Sequence, residues 1–290
     1  MIRVLGLWIL GLALYAGWPL FAQVGDTPFV LPDWVSAEVD ISYGTEAEQK
    51  LDVYTPKQAV SGKRPGVLLI HGGGFRGGSR KNVLRVYAIP YLRKGFVVTS
   101  IDYRLTATAK APAAVNDTLA ALAWFHGNAK RLNVDNNRII AVGPSAGGHL
   151  ALMAGMVNKQ AKLGPVRNLA AIVNIFGVSD LGELLTEPNK RDEIVEWIPH
   201  GLGQREMARA MSPMIYARKG LPPVKSVHGT EDPLVPYEQS VRLTRLLREK
   251  GVTAELVSVP GGKHGFDDRT WNKDIYPQIF EFLERQRVLR

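Results

Sequence analysis

The sequence predicts an α/β domain built on a mostly parallel central sheet, with helices on both faces. Two observations predict it. Continuous apolar runs that end in glycine or turn residues, "PGVLLIHGGG" at 65–74 and "GFVVTSIDYRL" at 95–105, have the length and composition of strands buried on both sides. Between such runs lie stretches with helical spacing of apolar residues, so strand and helix alternate along the chain as in βαβ units.

The elements follow in chain order. Arg3 precedes an apolar run over residues 4–21, and the small residues Ala22 and Gly25 follow it, which predicts a secretory signal peptide over 1–22 and a secreted or periplasmic protein. The run is also close to the roughly 20 residues that span a bilayer, so a retained membrane anchor is the alternative. Residues 23–290 are expected to form a single domain. "EVDISYG" at 38–44 and "QKLDVYTP" at 49–56 alternate apolar and polar residues and predict an amino-terminal antiparallel hairpin. After the polar loop 57–64 come the two buried strands, separated by a helix over 82–94 that Pro90 interrupts. A helix over 113–129 leads to the short strand 139–142 and a helix over 150–156. Strands are expected over 169–181, 222–232 and 253–261, and helices over 241–251 and 275–286. Residues 182–212 fit no strand and predict a small insertion of short helices near the rim of the site.

Composition narrows the chemistry. The 36 Lys and Arg residues against 27 acidic ones give a net charge of +9, but they are scattered without a stripe or tail, which speaks against nucleic acid as a partner. The chain has no cysteine, which excludes disulfides and thiolate chemistry. No H-E-x-x-H zinc motif, P-loop or dinucleotide fingerprint occurs, so neither a metal nor an organic cofactor is expected.

What remains is a serine. Gly143-Pro144-Ser145-Ala146-Gly147 fits G-x-S-x-G, a sharp strand-to-helix turn that exposes a hydroxyl at the edge of a sheet. Gly143 and Gly147 leave room for that turn. His71-Gly72-Gly73-Gly74 ends an earlier strand, where the amides of Gly73 and Gly74, with that of Ala146, would form an oxyanion hole; His71 itself reads as structural. A serine needs a base and the base an orienter. His264 follows the last predicted strand and Asp232 the one before it, in the chain order Ser, acid, His; Glu231, Asp267 and Asp268 are the competing acids. His228 reads as a strand-end packing residue, and His126, His149 and His200 lack matching partners.

In "LDVYTP", "HGGGF", "DYRL", "GPSAGGHLA", "HGTEDPLVP" and "HGF", taken in that order over residues 38 to 286, the chain resembles the α/β-hydrolase serine esterases. The resemblance points to the branch of hormone-sensitive lipase and the small acetyl and feruloyl carbohydrate esterases. It implies the α/β-hydrolase fold, catalytic roles for Ser145, Asp232 and His264, and support of the oxyanion loop by Asp102 and Arg104. The chain lacks the long amino-terminal cap of lipase-like members, which implies an open site. The substrate so implied is a small-molecule ester or an acylated polysaccharide with short or aromatic acyl groups. A prolyl-oligopeptidase-like peptidase and a catalytically silent binding protein are the alternatives, and the intact glycine loop favours esters.

Overall fold

The computed structural model describes residues 29–289, so the leader lies outside the described residues. Eight strands form one sheet: β1 (Val35–Ser42), β2 (Lys50–Pro56), β3 (Arg64–Ile70), β4 (Val97–Ile101), β5 (Val134–Pro144), β6 (Ala171–Ile175), β7 (Val224–Gly229) and β8 (Ala254–Val259). Their spatial order is β1-β2-β4-β3-β5-β6-β7-β8. β2 pairs antiparallel with both of its neighbours, and every other pairing is parallel. This is the amino-terminal hairpin and mostly parallel sheet that the sequence pattern predicts.

Alternation along the strands builds two cores. Leu68 and Ile70 of β3, with Ile139 and Ala141 of β5, face one layer. There α2 (Ala113–Asn128), α3 (Ala146–Met156) and α6 (Tyr237–Glu249) bury Leu122, Leu150 and Leu243. Val67, Leu69, Ile140 and Val142 face the other layer, where α1 (Ile89–Arg93) and α8 (Tyr276–Arg285) bury Tyr91, Phe282 and Leu283. Each fully buried Leu, Val or Phe side chain stabilises the fold by roughly 1.5–3 kcal/mol. That is why the strands read as unbroken apolar runs.

Residues 182–212 form a single 3₁₀ turn, Gly182–Leu184, then α4 (Asp192–Trp197) and α5 (Gln204–Ala210). They are the short helices the sequence predicts, and they lie outside the sheet. α7 (Asp268–Thr270) is one turn that leads through a wide turn into α8. Among the described residues, no helix is long and apolar enough to cross a membrane.

Chain order places the site. The path runs from β3 outward to β4, then returns to set β5 on the other side of β3. Loops leaving the carboxyl ends of β3 and β5 therefore diverge, and a crevice opens between them.

Candidate active site

Ser145 occupies the turn between β5 and α3, with φ 54° and ψ −122°, a conformation that L-residues with side chains rarely adopt. The close approach of the neighbouring backbone holds it there. A Cβ on Gly147 would lie 2.1 Å from the Ile70 carbonyl oxygen, so only glycine lets α3 begin this close to β3. The Ser145 amide donates to the Ile175 carbonyl at 2.8 Å, which fixes the turn to β6 as well.

The hydroxyl faces His264: Nε2 lies 2.9 Å from Ser145 Oγ. On the ring's other side, Nδ1 lies 2.7 Å from Asp232 Oδ2. The Asp232 side chain is 0% exposed, and its Oδ1 accepts the amides of Leu234 and Val235 at 2.8 and 3.0 Å. Burial raises the proton affinity of this carboxyl, but hydrogen bonds from His228 and His264 outweigh it and hold Asp232 well below the usual carboxylate range. The group is therefore an anion at neutral pH. Since a carboxylate only accepts, His264 Nδ1 carries its proton toward Asp232, and Nε2 presents a lone pair to the serine.

The competing acids are engaged elsewhere. Asp267 caps α7 through the Thr270 amide, and Asp268 pairs with Arg85 on the surface. Glu231 is exposed. Its backbone amide donates to Gly262, tying the acid loop to the loop that carries His264.

The loop after β3 lies against the serine turn; a Cβ on Gly72 would stand 3.3 Å from Ser145 Cβ. Gly73 and Gly74 have φ of 116° and 59°, a left-handed run that turns successive amides toward one side of the loop. Among the described residues, the amides of Gly73, Gly74 and Ala146 have no hydrogen-bond acceptor in the protein. Such amides at a helix start and an adjoining turn suit a developing anion. His71 is buried, stacks on Tyr103 at 4.2 Å, and donates from Nδ1 to the Gly72 carbonyl at 2.7 Å. Burial lowers its affinity for a second proton, so it braces the loop as a neutral ring.

Asp102 reaches the loop by holding Arg80: the Arg80 amide donates to Asp102 Oδ1 at 2.6 Å, and the guanidinium also pairs with Asp102, Asp52 and Asp40. The implied support by Arg104 needs correction. Its guanidinium forms a fork with buried Asp117 on α2, with Nη2 to Oδ1 at 2.6 Å, and among the described residues it makes no hydrogen bond or ion pair to the glycine loop. Its neighbours do that work. Tyr103 donates its hydroxyl to the His71 carbonyl at 3.0 Å, and Thr106 donates from backbone and side chain to the Phe75 carbonyl at 2.8 and 3.0 Å.

Three participants escape sequence reasoning. Phe176, after β6, packs its ring 4.5 Å from that of His264 and limits its rotation. Arg191, just before α4, donates to the carbonyls of Pro233 and Leu234 at 2.6 and 2.7 Å and so clamps the acid loop. Trp197 of α4 stacks on Phe75 of the glycine loop at 3.8 Å. Of these, only Trp197 is signalled in the sequence, by the clustered apolar residues of 182–212.

A pocket of about 40 Å³ opens beside Ser145 and His264, walled by Val178, Leu184, Ile194, Leu234 and Val235, with Arg191 and Glu193 at its edge. A wider concavity of about 680 Å³ lies at the amino ends of β3 and β5, among Lys63, Lys94 and Arg138, at the opposite edge of the sheet from the serine. Only the first can present a bound group to the hydroxyl.

Residues 51–247 match the family model described as BD-FAE. The esterase LipC of Mycobacterium tuberculosis (strain ATCC 25618 / H37Rv) is 31% identical over 242 residues, which make up 78% of this chain and 59% of that protein. The chain thus spans about three fifths of that relative's length. Among solved structures, a truncated carbohydrate esterase from gut microbiota is similar at a TM-score of 0.77 and 26% identity, over 87% of this chain and 96% of that one. The butyrate-bound esterase Est2 of the planctomycete Thermogutta terrifontis is similar at 0.74 and 26%, over 89% and 96%.

Proposed function

Since the chain belongs to the BD-FAE family, we propose that it is a serine-dependent carboxylic ester hydrolase that favours short acyl groups. The observation that carries this reading is the hydrogen-bonded run Ser145, His264, Asp232, at 2.9 and 2.7 Å, facing unpaired amides across a small apolar pocket. His264 takes the Ser145 proton as Oγ attacks the ester carbonyl, and Asp232 holds the ring and stabilises its positive charge. The amides of Gly73, Gly74 and Ala146 receive the oxyanion, where each such donor contributes roughly 10²–10³ in rate. His264 then gives its proton to the departing alcohol, leaving an acyl-enzyme. Water activated by the same ring releases the acid.

About 40 Å³ accommodates a short acyl chain and favours acetyl to butyryl esters. A feruloyl ring exceeds that space and has to lie across the open rim. Likeness to a carbohydrate esterase supports acetyl groups on polysaccharide as the natural target, and the apolar leader supports export to the periplasm or beyond.

The test is a series of nitrophenyl esters from two to sixteen carbons, set beside acetylated xylan, methyl ferulate and a proline-linked peptide amide. Turnover is expected to peak at two to four carbons and to fall by roughly four to six orders of magnitude in Ser145→Ala. Peptide cleavage without ester turnover would overturn the reading in favour of a peptidase.

A further inference from the structure

Behind Asp232 lies a second imidazole that the reaction just described leaves unused. His228, the penultimate residue of β7, is fully buried. Its Nε2 stands 3.0 Å from the Val235 carbonyl oxygen and 3.2 Å from Asp232 Oδ2, the oxygen that also meets His264. Both neighbours accept, so Nε2 carries the proton and shares it between them. Nδ1 lies 2.7 Å from Ser240 Oγ, in the first turn of α6. The Ser240 hydroxyl has no other acceptor among the described residues and donates to Nδ1. Every polar atom of this buried group is thereby satisfied.

We propose that Ser240, His228, Asp232, His264 and Ser145 form one hydrogen-bonded relay, in which His228 is a positioning residue that sets the orientation and basicity of Asp232. Asp232 Oδ2 divides its lone pairs between two imidazole N–H groups. His228 occupies the position that would otherwise be a buried, unpaired lone pair, and it keeps the carboxylate from rotating away from His264. It also withdraws charge from Oδ2, which moderates the pull on the His264 proton. Ser240 polarises the His228 ring and strengthens its N–H as a donor. Besides Asp232 and, through it, His264, the titratable group that packs on His228 is Tyr237 of α6, edge-on at 5.8 Å. β8 sets the neutral Ser258 beside it in register.

Loss of the His228 donor therefore leaves Asp232 more basic and less fixed. The acid limb of kcat/KM then moves upward. The experiment measures kcat and KM against pH with a short nitrophenyl ester for His228→Phe, His228→Gln and Ser240→Ala, alongside thermal midpoints. His228→Phe is expected to lose roughly ten- to a hundredfold in kcat with KM nearly unchanged, and to move the acid limb up by about half to one pH unit. Ser240→Ala is expected to move it less, in the same direction. His228→Gln, which restores an N–H near the Nε2 position, is expected to recover most of both. If His228→Phe does not fold, Ser240→Ala carries the test.

Wild-type pH profiles in the folded Phe and Ala variants overturn the relay, whatever their kcat, and so does a Gln variant no better than Phe. The kinetic arm rests on the ester-hydrolase reading, so the proton resonance of the His264–Asp232 hydrogen bond is followed in parallel. Its displacement in Ser240→Ala supports the relay even if no ester is turned over, and its constancy counts against it.

Discussion

His149 is a residue whose place in the fold has a measurable cost. It sits in the first turn of α3, fully buried, and its Nδ1 meets the Val178 carbonyl at 3.0 Å while Nε2 has no partner among the described residues. The rings of Phe75 and Trp197 close over it edge-on at 5.5 and 5.6 Å. Burial pushes its pKa down to about 4, against about 6.5 in the unfolded chain. Between these values the unfolded chain binds a proton that the folded one refuses. Stability is therefore complete above pH 6.5 and drains as pH falls toward 4, by up to about 3 kcal/mol. In His149→Met, unfolding free energies from denaturant titrations at pH 7.5, 5.5 and 4.5 are expected to fall less steeply than in the wild type. Parallel slopes would assign the acid sensitivity to other groups. Ser145, Asp232 and His264 were legible because each stands in a short motif at a strand end. His228 was not, because its meaning depends on Ser240, which folding brings to it from the next helix. Arg104 misled for the same reason: its partner Asp117 lies on α2.

At the scale of elements, residues 182–212 do more than line the rim. Arg191 holds the two carbonyls that follow Asp232, and Trp197 is stacked on the loop that carries the oxyanion amides. One insertion thus braces both the acid and the anion site. Arg191→Ala is expected to lower kcat about tenfold by letting the acid loop drift, since small displacements of catalytic groups cost heavily. Arg191→Lys is expected to recover little, because one ammonium cannot reproduce the fork on two carbonyls. Wild-type kcat in Arg191→Ala would show that the loop holds itself. Trp197→Ala is expected to cost about 3–5 kcal/mol of stability as well as activity, read from denaturant midpoints.

Most elements were legible, and the misplaced ends have causes. α3 begins at Ala146, not Leu150, because tertiary contact with β3 enforces a helix through two glycines of poor propensity. α6 begins at Tyr237, not 241, because its first turn buries polar Gln239, which accepts the amides of Ser179 and Asp180 through Oε1 and breaks the apolar period. The expected helix over 82–94 splits into a wide turn at Leu84–Ala88 and then α1, since Pro90 has no amide to continue the ladder.

For the molecule as a whole, the alternation of strand and helix was legible while the order of strands was not. Periodicity reports burial, and β3 and β4 are equally buried whichever lies next to β5. That hidden order is what assembles the site: the anion loop leaves β3, the serine β5, the acid β7 and the base follows β8. No subset of these strands contains a working centre, so activity should require the whole sheet. The insertion, standing apart from the sheet, is a candidate to detach first. Its apolar residues argue otherwise. Leu184, Ile194, Trp197 and Ile198 are all at most 2% exposed and belong to the same continuous core as α2, α3 and α6. A segment that shares one core with the sheet has little to gain by leaving it alone. Ester turnover, tryptophan fluorescence and far-ultraviolet circular dichroism are therefore expected to fall together along a urea titration, with one midpoint. A loss of turnover at lower urea, with the circular dichroism intact, would make the insertion a separately melting unit and the pocket wall its first casualty.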